Sequence, residues 1–213
     1  MKKILLVGSS SDIANYLLKN NSFEFVCLSS QESDFDILDN TTFPKIDNLD
    51  GIVYFPGTVN LRPFSNLRSK DFQRDYEINV LGLVNILKHY QLSLNKNASI
   101  VTISSIAAGF GMPFHSSISM CKASVEALIR SLAAEWAPKI RLNCIAPSLV
   151  ETKMTERLTN SDMKKESIAN KHPLKTIGEV SDISNMISFL LSEKSKWITG
   201  QTIRIDGGLS TLR

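Results

Sequence analysis

The sequence of 213 residues predicts a doubly wound α/β fold, a parallel sheet of about seven strands with helices on both faces. Two observations carry this. Short apolar runs alternate along the whole chain with segments of helical periodicity. The runs are apolar throughout rather than at every second position, as in strands buried on both faces. One domain fits the length, because an α/β unit commonly takes roughly 200–250 residues.

Strands are read at Ile4–Val7, Phe23–Leu28, Gly51–Phe55, Ser99–Ser104, Arg141–Ile145 and Thr202–Ile205, with Phe35-Asp36-Ile37 as a further, very short one. Helical stripes are formed by Ile13, Leu17 and Leu18, and by Phe72, Tyr76, Val80, Leu83 and Leu87. Two more run through Ala127, Leu128, Leu132 and Trp136, and through Val180, Ile183, Ile187 and Leu191. Only the polar stretch from Ser29 to Asp34 joins the second and third strands, so a crossover helix there is shortened or missing. The Lys-rich segment at about 151–175 is too long for a simple loop and reads as a helical flap. It follows a strand on the carboxyl side of the sheet, where such folds bind ligands.

Composition excludes several classes. Hydrophobic residues make up 43% and charged residues 21%, and 24 Lys and Arg against 21 Asp and Glu leave a net charge of +3. No basic run has the length of a nucleic-acid or membrane patch. Cys27, Cys121 and Cys144 show neither disulfide nor metal-ligand spacing, which suits a reducing compartment and no bound metal. The apolar start stops at Gly8, too soon for a signal peptide, and no stretch approaches a membrane span. A cytoplasmic protein is expected, without nucleic acid or membrane as partner.

The first strand runs straight into Gly8-Ser9-Ser10-Ser11-Asp12-Ile13-Ala14 and a helix. A small-residue turn at a helix N-terminus offers backbone N–H groups and a positive dipole end to a pyrophosphate. The same residues also make a good N-cap, and this turn alone weighs the two readings alike. The Asp12 carboxylate counts against anion binding.

Further motifs stand in a fixed order. Asp36-Ile37 is an acidic and aliphatic pair, and Phe55, Pro56 and Gly57 follow the strand after it. Asn79-Val80-Leu81-Gly82 lies in a helix, Ser104-Ser105 closes a strand, and Lys122-Ala123 lies in the next helix. The segment Asn143 to Thr152 contains Pro147, Ser148 and Val150. His172-Pro173-Leu174, Thr199-Gly200-Gln201 and Ile205-Asp206-Gly207-Gly208 complete the series. In these motifs the chain, from residue 1 to about 210, resembles the short-chain dehydrogenase/reductase family, nearest to the β-ketoacyl-carrier-protein reductase type.

The resemblance implies a Rossmann-like fold and hydride transfer between NAD(P)(H) and a small-molecule carbonyl or alcohol. It assigns the dinucleotide to Gly8, Ser10, Ser11 and Ile13 of the turn, to Ser29 and Ser30, to Asp36 and Ile37, and to Phe55, Pro56 and Gly57. Lys122, Pro147, Ser148, Val150 and Thr152 complete that set. It assigns chemistry to Ser105, Lys122 and Asn79. It also implies a homodimer or homotetramer paired through two long helices, a reading to which apolar residues on several sides, such as Ile78 and Ile129, lend themselves. Simple burial accounts for those residues as well.

Among the departures from the family's motifs, such as Asp12 for the middle glycine of the turn and Ser148 for a glycine, one touches the chemistry. The family places a tyrosine four residues before the lysine, one helical turn away, where it serves as proton donor. Here that position is Ile118, while Ser105 stands thirteen residues further back, at family spacing. Ile118 has no proton to give, which opens two readings: an oxidoreductase with another acid, or an inactive nucleotide-binding homologue acting as a regulatory or scaffold subunit. His115, three residues before Ile118, is the substitute the sequence offers, since histidine titrates near 6.5. A helix reaching back to it puts His115, Ile118 and Lys122 within roughly 60° of one face. A capping or surface histidine is the competing reading. Tyr54 and His172 are weaker candidates. NAD and NADP are not separated, because Ser29 and Ser30 suit a 2′-phosphate and Glu32 a 2′-hydroxyl.

Overall fold

In a computed structural model, which describes residues 1–31 and 34–212, six parallel strands form one sheet in the order β2-β1-β3-β4-β5-β6. β1 (Lys3–Val7) leads into α1 (Asp12–Lys19) and β2 (Glu24–Leu28). After β3 (Leu49–Tyr54), α2 (Ser69–Tyr76) passes through a π turn (Glu77–Leu81) into α3 (Gly82–Tyr90). β4 (Leu94–Ile103), α4 (Ser116–Trp136) and β5 (Ile140–Pro147) follow. Two short helices, α5 (Glu156–Thr159) and α6 (Asp162–Ala169), precede α7 (Val180–Leu191) and β6 (Thr202–Ile205).

Alternate strand residues feed two cores, which is why the runs are apolar throughout. Leu5, Val7, Ile52, Ile100 and Leu142 pack with Leu83, Leu87, Val125 and Ile129 of α3 and α4. Ile4, Leu6, Val53, Val101 and Ile145 pack with Leu17 of α1 and with Ile183, Ile187 and Leu191 of α7.

The sheet differs from the sequence reading at one strand. Phe35-Asp36-Ile37 forms no ladder. The Asp36 backbone N–H donates to Thr42 Oγ1 at 3.0 Å, and Asp36 Oδ1 accepts from the Leu38 backbone at 2.9 Å. These side-chain bonds bend the segment into a turn, and buried Phe35 pins it to the core. Six strands therefore stand where about seven were expected. Between β2 and β3 the described residues hold a 3₁₀ turn, Asn40–Thr42, and no longer helix.

Two helical stripes also shift. The π turn inserts a residue beyond Tyr76, so Asp75, Asn79 and Val80 face inward and Tyr76 is 38% exposed. On α4 the fully buried face is Cys121, Val125, Ile129 and Ala133; Leu128, Leu132 and Trp136 of the expected stripe pack partly buried against the same core, and Ala127 is exposed. Among the described residues no helix is long and apolar enough to cross a membrane.

Candidate active site

A cleft of about 960 Å³ opens at the carboxyl ends of β1, β3, β4 and β5. Gly8 makes the first turn possible. Its backbone N–H reaches Leu28 O at 2.8 Å, its φ is +79°, and a methyl group there would lie 3.0 Å from Pro56 Cδ. Ser11 caps α1, its Oγ accepting from Ala14 N at 3.2 Å, so capping and cleft lining coexist in this turn. Ser10 Oγ accepts from Ser29 Oγ at 3.1 Å and ties the turn to the end of β2. Ser30, Asp36 and Ile37 continue that wall, and Phe55, Pro56 and Gly57 form the floor after β3. Across the cleft, Pro147, Ser148, Val150 and Thr152 leave β5; the Ser148 backbone N–H is held by Ile205 O at 3.1 Å. All sixteen residues that the resemblance assigns to a dinucleotide, from Gly8 through Lys122 to Thr152, line this one cleft. Glu32 lies outside the described residues.

Ser105, Lys122, His115 and Ile118 line the same cleft. Ser105 follows β4 and accepts from Ala107 N at 3.2 Å, capping a 3₁₀ turn. Lys122 is buried on α4 and donates from Nζ to Ile103 O at 2.9 Å. Burial pulls its pKa down to about 8, with the neighbouring Cys144 and Cys121 thiols opposing that shift. Asn79 sits behind the floor. Its Nδ2 donates to Thr58 Oγ1 at 2.9 Å and to the Asp75 carbonyl at 2.8 Å, while its buried Oδ1 has no partner among the described residues. A methyl group on Gly57 would lie 3.1 Å from that Oδ1 and 3.3 Å from Lys122 Nζ. Two side-chain groups thus converge on the space that glycine leaves open here.

The α4 helix starts at Ser116, so His115 is its N-cap and not part of its first turn. The His115 Nδ1–H donates to Pro113 O at 2.7 Å, which leaves Nε2 as the nitrogen without a partner among the described residues. Phe114 before it holds φ of +67°, a left-handed conformation that a bulky residue adopts only under constraint.

The weaker candidates are both held in hydrogen bonds within the protein, Tyr54 behind the cleft and His172 on its wall. Tyr54 donates its hydroxyl to Ile78 O at 2.6 Å, and burial pushes its pKa strongly upward. His172 has both ring nitrogens engaged, Nδ1 with Ile168 O at 2.9 Å and Nε2 with Ser148 Oγ at 2.8 Å.

Sequence reading missed a buried polar chain beside the site. Asp75 accepts from Thr58 Oγ1 and from Ser117 Oγ, both at 2.6 Å, linking α2 to the start of α4. The signal was present as an aspartate one helical turn before Asn79, but a straight helical repeat puts Tyr76 inward in its place. Also missed were Arg74, Met112, Met154, Leu158 and Lys171 on the cleft rim, which no local motif marks.

A parallel sheet whose chain reverses direction between β1 and β3, with a glycine turn and a cleft at that switch point, defines a nucleotide-binding α/β protein. The family model described as enoyl-(acyl carrier protein) reductase matches residues 15–210. The 3-oxoacyl-(acyl-carrier-protein) reductase FabG of Buchnera aphidicola is 28% identical over 97% of this chain and 86% of its own length. The chain belongs to the short-chain dehydrogenase/reductase family of NAD(P)-dependent oxidoreductases. Among solved structures, the ligand-free aldohexose dehydrogenase of Thermoplasma acidophilum superposes with a TM-score of 0.90 at 22% identity, covering 100% of this chain and 95% of that one. A tyrosine-to-phenylalanine variant of ElxO with NADPH bound superposes with a TM-score of 0.83 at 24% identity, covering 98% of each chain.

Proposed function

We propose that the protein binds NAD(P)(H) in this cleft and oxidises or reduces a small carbonyl or alcohol substrate, with a proton donor other than tyrosine. The observation that carries the reading is the convergence of Ser105, Lys122 and His115 on the one cleft that also gathers the sixteen dinucleotide-type residues. The site suits such a cofactor on its own geometry. Asn79 Oδ1 is buried without a partner among the described residues, and Gly57 leaves space between it and Lys122 Nζ. When bound, the nicotinamide supplies or accepts the hydride. The Gly8 turn and the α1 N-terminus hold phosphate, and Lys122, still largely charged at neutral pH, donates to ribose hydroxyls. Ser105 Oγ binds the substrate oxygen. His115 donates from Nε2 once both ring nitrogens are protonated, with Pro113 O holding the other nitrogen in place. Ile118, Met112, Met154 and Leu158 give the cleft an apolar side, with Arg74 and Lys171 also on its rim, which favours a substrate with a hydrocarbon body.

A second reading is favoured by Ile118 itself: a nucleotide-binding homologue that does no chemistry and acts through partners. The ElxO variant lends weight to cofactor retention without a tyrosine hydroxyl. The reading further includes a cytoplasmic location and a homodimer or homotetramer. Tyr76 and Leu81, each 38% exposed, and Met120 at 45% support pairing through α2, α3 and α4. Ile129 lends nothing to it, being buried within the protomer.

Titration with NADH and NADPH, followed by nicotinamide fluorescence, tests the cofactor reading. Micromolar binding of either is expected, and no binding by folded protein overturns it. A substrate screen with NADPH or NADH present then separates the enzyme from the silent homologue.

A further inference from the structure

Asp12 is the first residue of α1, directly after the turn that the resemblance assigns to the pyrophosphate. Its Oδ2 accepts from the backbone N–H of Lys153 at 2.7 Å, a bond between residues 141 apart in sequence. Asp12 and Lys153 stand on opposite walls of the cleft and both line it. The first turn of a helix attracts anions through its free N–H groups and its dipole. Here a carboxylate of the chain itself occupies that field, and it is engaged with the flap rather than with its own helix.

The flap is otherwise fastened at its two ends. Glu151 N donates to Gly178 O at 2.9 Å at one end, and His172 bonds Ser148 at the other. Between them, the ion pair of Lys165 with Glu151 closes the flap on itself. The charge-assisted bond to Asp12 instead ties its first turn across the cleft to α1.

We infer that Asp12 sets the affinity of the cleft for a dinucleotide: its carboxylate competes with the incoming pyrophosphate and latches the flap until that anion displaces it. The inference rests on the cofactor reading above. Two substitutions separate charge from latch. Asp12→Asn keeps an oxygen that can accept from Lys153 but removes the charge; Asp12→Gly removes both.

Nicotinamide fluorescence titrations with NADH and NADPH on the native protein and both variants give the affinities. Amide hydrogen exchange resolved at Lys153, measured without cofactor, reads the latch. Asp12→Asn tightens binding about tenfold with Lys153 still protected. Asp12→Gly tightens binding at least as much, and its Lys153 amide exchanges about tenfold faster or more. Dinucleotide binding by the native protein with no gain in either variant overturns the inference and leaves the cofactor reading standing. So does a native Lys153 amide that exchanges at the unprotected rate. Absence of binding in all three proteins overturns the cofactor reading and takes the inference with it.

Discussion

The lead-in to α4 and the turn of that helix around Lys122 meet the cleft in opposite ways. The turn around Lys122 is buried, and its ammonium is held by Ile103 O, next to an Asn79 whose amide is fixed by Thr58 and the Asp75 carbonyl. The start of the helix, from Phe114 to Ile118, is where the family's proton donor belongs. There His115 is partly exposed, Phe114 holds a left-handed backbone, and Ile118 presents only carbon to the cleft. His115, the N-cap of α4, and Lys122 within it lie seven residues apart. The comparison teaches that the parts suited to binding a cofactor and those suited to moving a proton are separable here. One is built into the core, where a change disturbs many neighbours. The other sits at a helix end, where a change disturbs few.

Putting a tyrosine at the reaction end is the strongest way to break this contrast. Ile118→Tyr raises turnover by about 10²–10⁴-fold on a working carbonyl substrate, as expected from a positioned general acid. In the native background, His115→Ala lowers turnover by about 10²-fold, with cofactor affinity held. Steady-state kinetics on both variants check this; equal rates for native and His115→Ala remove the histidine from the mechanism.

At the binding end, Lys122→Met weakens dinucleotide affinity by about 10–100-fold, the worth of hydrogen bonds from a charged donor. It also changes the pH dependence of stability. The native lysine has its pKa lowered to about 8 by burial, against 10.5 unperturbed. Between those values the unfolded chain holds the proton and the folded chain does not, so the lysine's contribution to stability rises as pH rises. The native protein therefore gains on Lys122→Met by about 3 kcal/mol from below pH 8 to above 10.5, read by urea unfolding across that window. A pH-independent difference contradicts the buried environment.

Two smaller effects sharpen the contrast. Gly57→Ala puts a methyl group 3.1 Å from Asn79 Oδ1 and 3.3 Å from Lys122 Nζ, and costs about 1–3 kcal/mol of stability by overpacking. Phe114→Gly, at φ of +67° and 57% exposed, relieves a strained backbone at the other end and changes stability by at most about 1 kcal/mol in the favourable direction. Thermal unfolding of both variants decides whether one end is rigidly packed and the other tolerant.

Much of this was legible before any coordinates. The six ladder strands sit where apolar runs of strand length predict them, because a strand buried on both faces leaves an unbroken run. The cleft-lining residues after β1, β3 and β5 were legible because loops at the carboxyl ends of parallel strands converge whatever their sequence. What was not legible depended on one-residue shifts or on distant partners. The π turn at Glu77–Leu81 rotates Asp75 inward, and hydrophobic periodicity carries no mark of it. The Phe35–Ile37 segment has the composition of a strand, yet the Thr42 hydroxyl bonds the Asp36 backbone N–H and carbonyl in place of a neighbouring strand.

The amino-acid order by itself determined the α/β class, the strand positions and the set of residues around one cleft, since these follow from periodicity and chain topology. It also determined that an isoleucine stands where a hydroxyl is expected. Only the tertiary structure decided that His115 caps α4 while Nε2 is left without a partner among the described residues, that Tyr54 is locked onto Ile78 O, and that Asp12 reaches Lys153. Those outcomes turn on where a side chain points and which distant group lies within about 3 Å, and local spacing carries no information about either.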